Sequence, residues 1–459
     1  MDTDLILKQI ESLTDEVLIS WKKDLSSLIA KKSVRDLTTA TLNAPFGAGI
    51  RGAFDVFREI AERLGFQVKD HSGYAIDAEI SGTGQHFNTS KPAGSNGAES
   101  YDYIAVLGHL DVVPANESAD WLSDPFTLTE RDGYLYGRGV NDDKGPLLLC
   151  LYAAYLLQQI GFEFKLPLRI IAGGAEETTW ECVDYYFKHN QQPLAAFSPD
   201  GNFPIINHEL GILDIGLEFP PLPVSNSNCL IKQISSPVPE HKVCSEVQLI
   251  LASEDNQITE SLDFVGKSAL SRNPHRGINA IDLMMDYLQN VSLDECGLLK
   301  FYQEFSCELK KKNLEYFTYA ATSITYNTEQ AKLYLDIRYP QGFDAEMFMQ
   351  NLSEKLALDG ANYKIERHLK PLYVKPESPL IKILSESYEK VIGSPIGDVQ
   401  AKGAASYARA LKNGVNFGPT FPGEEPGSHF PNEHFSLDSA KKLLKIYALS
   451  IAALTNLVK

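Results

Sequence analysis

Carboxylates and imidazoles recur in this chain where apolar runs stop. The run Ile104 to Leu107 ends in Gly108-His109-Leu110-Asp111, and the acidic block Asn141-Asp142-Asp143-Lys144-Gly145 follows. Glu176-Glu177, Asp200 and, far downstream, His429 complete the set. Imidazole nitrogen and carboxylate oxygen are the donors that zinc, manganese or cobalt accept. On an extended backbone His109 and Asp111 leave on the same face. One can then meet a cation while the other holds the opposite ring N–H. Asp142 has the character of a carboxylate shared by two cations, and Tyr136-Gly137-Arg138-Gly139 supplies a tight loop before it. Glu176 and Glu177 repel each other, so at a buried strand end they need a cation or a shared proton.

Taken singly, each residue has a plainer explanation. His109 and Asp111 make an ordinary surface pair, and an Asp before an apolar helix is a normal N-cap. Glu176-Glu177 suit the first turn of a helix, where the dipole favours acids. Asp200, in Phe197-Ser198-Pro199-Asp200-Gly201, suits a turn. His434 competes with His429, which follows a Gly/Pro-rich loop.

The elements that must position these residues alternate. Helices are expected at Leu5 to Lys31 and within Asn43 to Gly65. Ser81 to Ser100, rich in Gly, Ser and Asn, reads as a mobile surface loop. Then come a strand at Tyr103 to Leu107, an apolar helix at Gly145 to Ile160 and a buried strand at Leu166 to Ala172. A helix at Thr178 to His189 and a short strand at Leu194 to Phe197 follow. Strand–helix alternation predicts an α/β sheet with parallel segments, whose ligands gather beyond the strand carboxyl ends. After about Leu210 the texture changes. Ile212 to Phe219, Val243 to Leu251 and Lys332 to Arg338 alternate like half-exposed strands. Ile278 to Leu288 and Ala345 to Leu358 have helical spacing. This is a second, α+β unit, inserted before the first resumes with a helix at Pro376 to Ile392, a strand at Val415 to Gly418 and a helix at Leu437 to Leu457.

Composition narrows the classes. A chain of 459 residues exceeds one ordinary core. With 44% hydrophobic and 22% charged residues it is globular. A formal net charge of -18 argues against nucleic acid and anionic lipid as partners. The N-terminus lacks a signal-peptide layout, and no apolar run reaches membrane-spanning length. The six cysteines form no CxxC pair and read as free thiols in a reducing cytoplasm.

In order, GHLDVVP, GRGVNDDKG, GGAEET, SPDG and SHFPNE resemble one family. It is the dinuclear-zinc amidohydrolases of the aminoacylase, carboxypeptidase G, succinyl-diaminopimelate desuccinylase and carnosinase group. The resemblance is strongest to bacterial peptidase V-type dipeptidases and spans most of the chain. It implies an α/β zinc-peptidase catalytic domain over 1–209 and 385–459. That domain has a mixed, largely parallel sheet flanked by helices. It also implies an inserted α+β lid over 210–384, long enough to favour a monomer. Two divalent cations are implied, zinc first, with manganese or cobalt as alternatives. His109 and Asp200 would hold one and Glu177 and His429 the other, with Asp142 bridging. Asp111 would orient His109, and Glu176 would be the general base that activates a water. Arg338, in Leu335-Asp336-Ile337-Arg338-Tyr339-Pro340, matches the arginine that grips a substrate carboxylate; without the resemblance it is equally a surface arginine. The implied substrate is a dipeptide or another small N-acyl amino acid.

Departures from the family cluster on substrate contacts. Leu270 stands where the family has a histidine that donates to the developing oxyanion, a loss worth ~10²–10³ in turnover. His275, a few residues on, is a candidate replacement or a plain loop histidine. Ser236-Pro237-Val238-Pro239 replaces Asn-Met-Val-Pro. Gly403-Ala404-Ala405-Ser406-Tyr407 carries methyls where relatives have glycines, with Ser406 a candidate substrate contact. The alternative expectation is therefore a metal-bound relative with slow or no turnover. A mononuclear protease is disfavoured by the absence of HExxH.

Overall fold

The computed structural model describes residues 3–83, 101–115, 120–221, 230–238, 241–253, 257–290, 297–312, 314–402 and 405–457. Most of the Gly/Ser/Asn-rich stretch, with Cys229, Pro239, Cys296, Gly403 and Ala404, lies outside these residues. The chain divides into two compact units. One comprises Met1–His208, Val374–Ala401 and Ala405–Lys459; the other comprises Glu209–Tyr373 and Lys402–Ala404. The return at Val374 precedes the helix Pro379–Ile392, whereas the expected boundary at 384/385 falls inside it.

The first unit is built on a mixed sheet. Strand Ile104–His109 pairs in parallel with Leu168–Gly173 on one side and Ala195–Ser198 on the other. Gly414–Asn416 extends the parallel core beyond Ala195–Ser198. The hairpin Gln67–His71 and Ala75–Ile80 finishes the opposite edge antiparallel to Leu168–Gly173. Ile104–His109 is buried at every position, as a continuous apolar run in a doubly covered parallel strand should be. Helix Lys144–Gln159 is buried from Lys144 to Ala154 without a break. It packs on that strand and on helices Thr3–Ile29 and Leu437–Leu454. An apolar surface all round is what such a central helix requires. Ser436 caps Leu437–Leu454 by accepting the Ser439 N–H at 3.3 Å.

The second unit is a seven-stranded antiparallel sheet with its own apolar core. Its strand order is Ile258–Val265, Glu246–Ala252, Leu230–Ser235, Thr318–Tyr326, Ala331–Tyr339, Gly211–Phe219 and Asn362–Leu369. Along Gly211–Phe219, Leu213, Ile215 and Leu217 enter that core, while Asp214 and Glu218 are only partly covered. Residues of helices Ala280–Asn290, Gly297–Lys311 and Ala345–Leu358 complete it. Among the described residues no helix is long and apolar enough to cross a membrane.

Candidate metal centre

Three parallel strands deliver four of the expected residues. His109 is the last residue of its strand, Glu176 and Glu177 follow Leu168–Gly173, and Asp200 follows Ala195–Ser198. Asp142 lies just before helix Lys144–Gln159, and His429 lies in the loop before strand His434–Ser436.

His109 is fully buried, and its Nδ1–H donates to the Asp111 carbonyl at 3.0 Å. That fixes Nε2 as the atom facing the centre, 3.1 Å from Asp142 Oδ1 and 3.8 Å from Asp200 Oδ2. The other Asp142 oxygen, Oδ2, lies 3.1 Å from His429 Nε2. His429 Nε2 is also 3.1 Å from Glu177 Oε2. The ligand atoms form two groups, His109–Asp142–Asp200 and Asp142–Glu177–His429, each within 4.8 Å. Asp142 belongs to both.

Asp111 works chiefly through the backbone. Its Oδ1 accepts the Glu176 N–H at 3.1 Å and its Oδ2 the Glu177 N–H at 3.0 Å. Its Oδ1 is 3.5 Å from His109 Nδ1. One carboxylate thus ties the turn bearing both glutamates to the strand bearing His109. Gly108 has a steric reason. A Cβ there would lie 2.1 Å from Asp143 Oδ2, the oxygen that accepts the His109 N–H at 3.2 Å.

Proton affinities follow from this crowding. Burial, then the carboxylates of Asp200, Glu177 and Asp142, push the Glu176 carboxyl well above its usual range. Burial and Asp200 do the same to Asp143. Burial opposes charge on Asp142, but hydrogen bonds from His109 and His429 prevail and hold its carboxyl low. Hydrogen bonds to Asp142 and Glu177 raise His429 to about 10.

Some neighbours stand inside quoted motifs without having been singled out for a role. Tyr407 is buried with its ring 5.8 Å from that of His109, and its hydroxyl meets Cys182 Sγ at 2.6 Å. Glu433 is wholly buried beside the Asp142 loop. Their roles depend on partners hundreds of residues away, which no local pattern encodes. Ser406 is buried, and its hydroxyl exchanges hydrogen bonds with Asn416 at 2.7 and 3.0 Å.

In the second unit Arg338 is buried and donates to Asp336 Oδ2 at 2.7 Å. His275 is exposed in the turn Pro274–Arg276, and Leu270 is 45% exposed. A third group of ligand-type residues, Asp214–His241–Asp336, lies in this unit too. Its oxygens nearest His241 already accept Arg367 Nε and Arg338. Two guanidinium ions thus occupy the place a cation would take.

The chain is similar to known proteins over nearly its whole length. A Lactobacillus delbrueckii subsp. lactis protein named Beta-Ala-Xaa dipeptidase is 29% identical over 493 residues, covering 99% of each chain. A Bacillus subtilis (strain 168) protein named as a dipeptidase, YtjP, is 29% identical over 472 residues, 95% of this chain and 97% of its own. The fold matches aminoacylhistidine dipeptidase from Vibrio alginolyticus with a TM-score of 0.56 at 13% identity, covering 95% of this chain and 96% of that one. Human carnosine dipeptidase 1 matches with a TM-score of 0.54 at 15% identity, covering 99% and 100%. The model of peptidase family M20/M25/M40 matches residues 105–453, well over half the chain and every residue of the candidate centre, so the chain belongs to that family.

Proposed function

We propose that this chain is a dinuclear metallo-dipeptidase, hydrolysing the amide bond of dipeptides or similar small N-acyl amino acids. One observation carries the proposal: the two oxygens of Asp142 each face a different imidazole nitrogen, both at 3.1 Å. A carboxylate so placed fits a bridge between two cations. The remaining donors, Asp200 on one side and Glu177 on the other, complete the set. Imidazole and carboxylate together suit zinc, manganese or cobalt. When bound, such ions polarise a carbonyl and lower the pKa of water.

The chain's own residues do the rest. Glu176, raised by burial and its acidic neighbours, is the proton carrier. It takes a proton from the attacking water and returns it to the leaving amine. Asp111 holds the backbone of Glu176 and Glu177 in register with His109. We assign the second unit the part of a lid, with Arg338 taking the substrate carboxylate through its guanidinium fork. The dipeptidase names of the relatives support the substrate class. The free thiols Cys150, Cys182, Cys244 and Cys307 support a cytoplasmic setting. A monomer belongs to the same proposal.

The test is a dipeptide panel assayed with zinc, manganese and cobalt on protein of measured metal content. A protein carrying two ions that cleaves nothing sinks the catalytic proposal. The second possibility, a slow or inert relative, rests on Leu270, an exposed leucine where the family has a histidine. Leu270→His restoring turnover to an inert chain would establish it; fast native turnover would dismiss it.

A further inference from the structure

We propose that Glu433 is a positioning residue that fixes the distance between Asp142 and His429. The inference rests on the dinuclear assignment above.

The carboxylate of Glu433 has no exposed surface and takes four donors. Oε1 accepts the N–H of Asn141 at 2.9 Å and of Asp142 at 3.1 Å. Oε2 accepts Arg138 Nη1–H at 2.8 Å and the N–H of Gly139 at 3.0 Å. A single side chain therefore gathers the loop 138–142, including the backbone N–H of the residue shared by both ligand groups. Charge assistance makes these bonds short and stiff.

Glu433 also closes the loop that carries His429. Its carbonyl accepts the Gly137 N–H at 3.2 Å, and the next residue's N–H, that of His434, donates to Pro426 at 2.9 Å. Asn141 Nδ2 donates to Ser428 Oγ at 3.2 Å, beside His429. His429 itself sits at φ 68, left-handed backbone that an L residue holds only when its surroundings fix it. Two of the three members of the Asp142–Glu177–His429 group thus hang on loops joined through Glu433. His109 and Asp200 instead come from strand ends. The consequence is unequal: loss of the Glu433 carboxylate should loosen the Asp142–Glu177–His429 cation most, because the other group shares only Asp142 with these loops.

Glu433→Gln keeps the volume but turns an NH₂ toward one pair of donors, so two of the four lose their acceptor. Glu433→Asp keeps the charge but withdraws it by one methylene. Cobalt titration followed by visible absorption reads both affinity and ligand geometry, and circular dichroism reads folding. The native chain is expected to take two equivalents. In either folded variant one equivalent should weaken by about 10–100-fold with changed visible bands, while the other weakens less. A general loss of stability would lower the melting temperature without moving those bands. Native-like affinity and spectrum for both equivalents in folded Glu433→Gln and Glu433→Asp overturns the proposal. Failure of both variants to fold also overturns it, because Glu433 would then serve the fold as a whole. Fewer than two equivalents in the native chain would instead strike the dinuclear assignment itself.

Discussion

At Glu176 and His429 the same crowding has opposite chemical uses. Burial and neighbouring carboxylates raise Glu176, which suits a group that must hold a proton between two steps of one reaction. Glu176→Gln should lower kcat by ~10²–10⁴ while metal analysis still finds both ions. Loss of the ions would assign Glu176 to the ligand set instead. His429 is raised as well, but there it is the charged imidazolium that the carboxylates favour. Its bonds to Asp142 and Glu177 raise it to about 10, above the ordinary ~6.5 of an unfolded histidine. In chelated protein that stabilisation is whole below about pH 6.5 and is lost as pH climbs through about 10. The effect is modest because the side chain is 52% exposed. As a metal ligand the same imidazole must be deprotonated, so metal affinity rises over that window. Melting temperatures with and without chelator should therefore diverge between about pH 7 and about pH 10. Parallel curves would separate His429 from the metal. Residues of this kind were readable in the chain because they stand where apolar runs stop or, for His429, just after a Gly/Pro-rich loop. Glu433 and Tyr407 lay within quoted motifs, but what each does depends on burial and long-range partners that the motifs do not show.

Strand and helix identity was legible where one period persisted. Ala345–Leu358 has helical spacing and is a helix over those residues. The mostly apolar stretch after Asp143 is the buried helix Lys144–Gln159. What escaped was short or polar. The edge strand Gln67–His71 buries only His71 fully, so its alternation carries no apolar signal. Helix Gly297–Lys311 has no acid in its first turn to announce it. Close approach between elements is equally silent in sequence, and Gly108 shows its cost. A methyl there meets Asp143 Oδ2 at 2.1 Å and Leu147 Cδ1 at 3.0 Å. Strand and helix would have to part at the point where His109 is held. Gly108→Ala should lose about 1–3 kcal/mol in urea unfolding, as overpacked cores do. Turnover should fall with it. Unchanged stability would mean that the helix start yields freely, and that the centre tolerates more movement than its hydrogen bonds imply.

The two units differ in what a metal can do for them. Their apolar cores share no residue: one runs from Ile6 to Leu454 through the first unit, the other from Leu213 to Leu356 through the second. Both groups of the candidate centre, His109–Asp142–Asp200 and Asp142–Glu177–His429, belong to the first unit alone. A ligand stabilises only the cooperative structure that binds it, by about 2.7 kcal/mol at a concentration a hundred times its Kd. Separate cores make separate unfolding steps the expectation for this chain. Calorimetry with excess zinc and with chelator should then show two transitions, with only one moving. Proteolysis at a temperature between them should release peptides from one unit, and peptides from within Glu209–Tyr373 should keep one melting point in both conditions. If a single transition moves as a whole, the units unfold together and the insertion is energetically part of the catalytic body. If the second unit's transition is the one that moves, cations bind at Asp214, His241 and Asp336 despite the guanidinium groups already there.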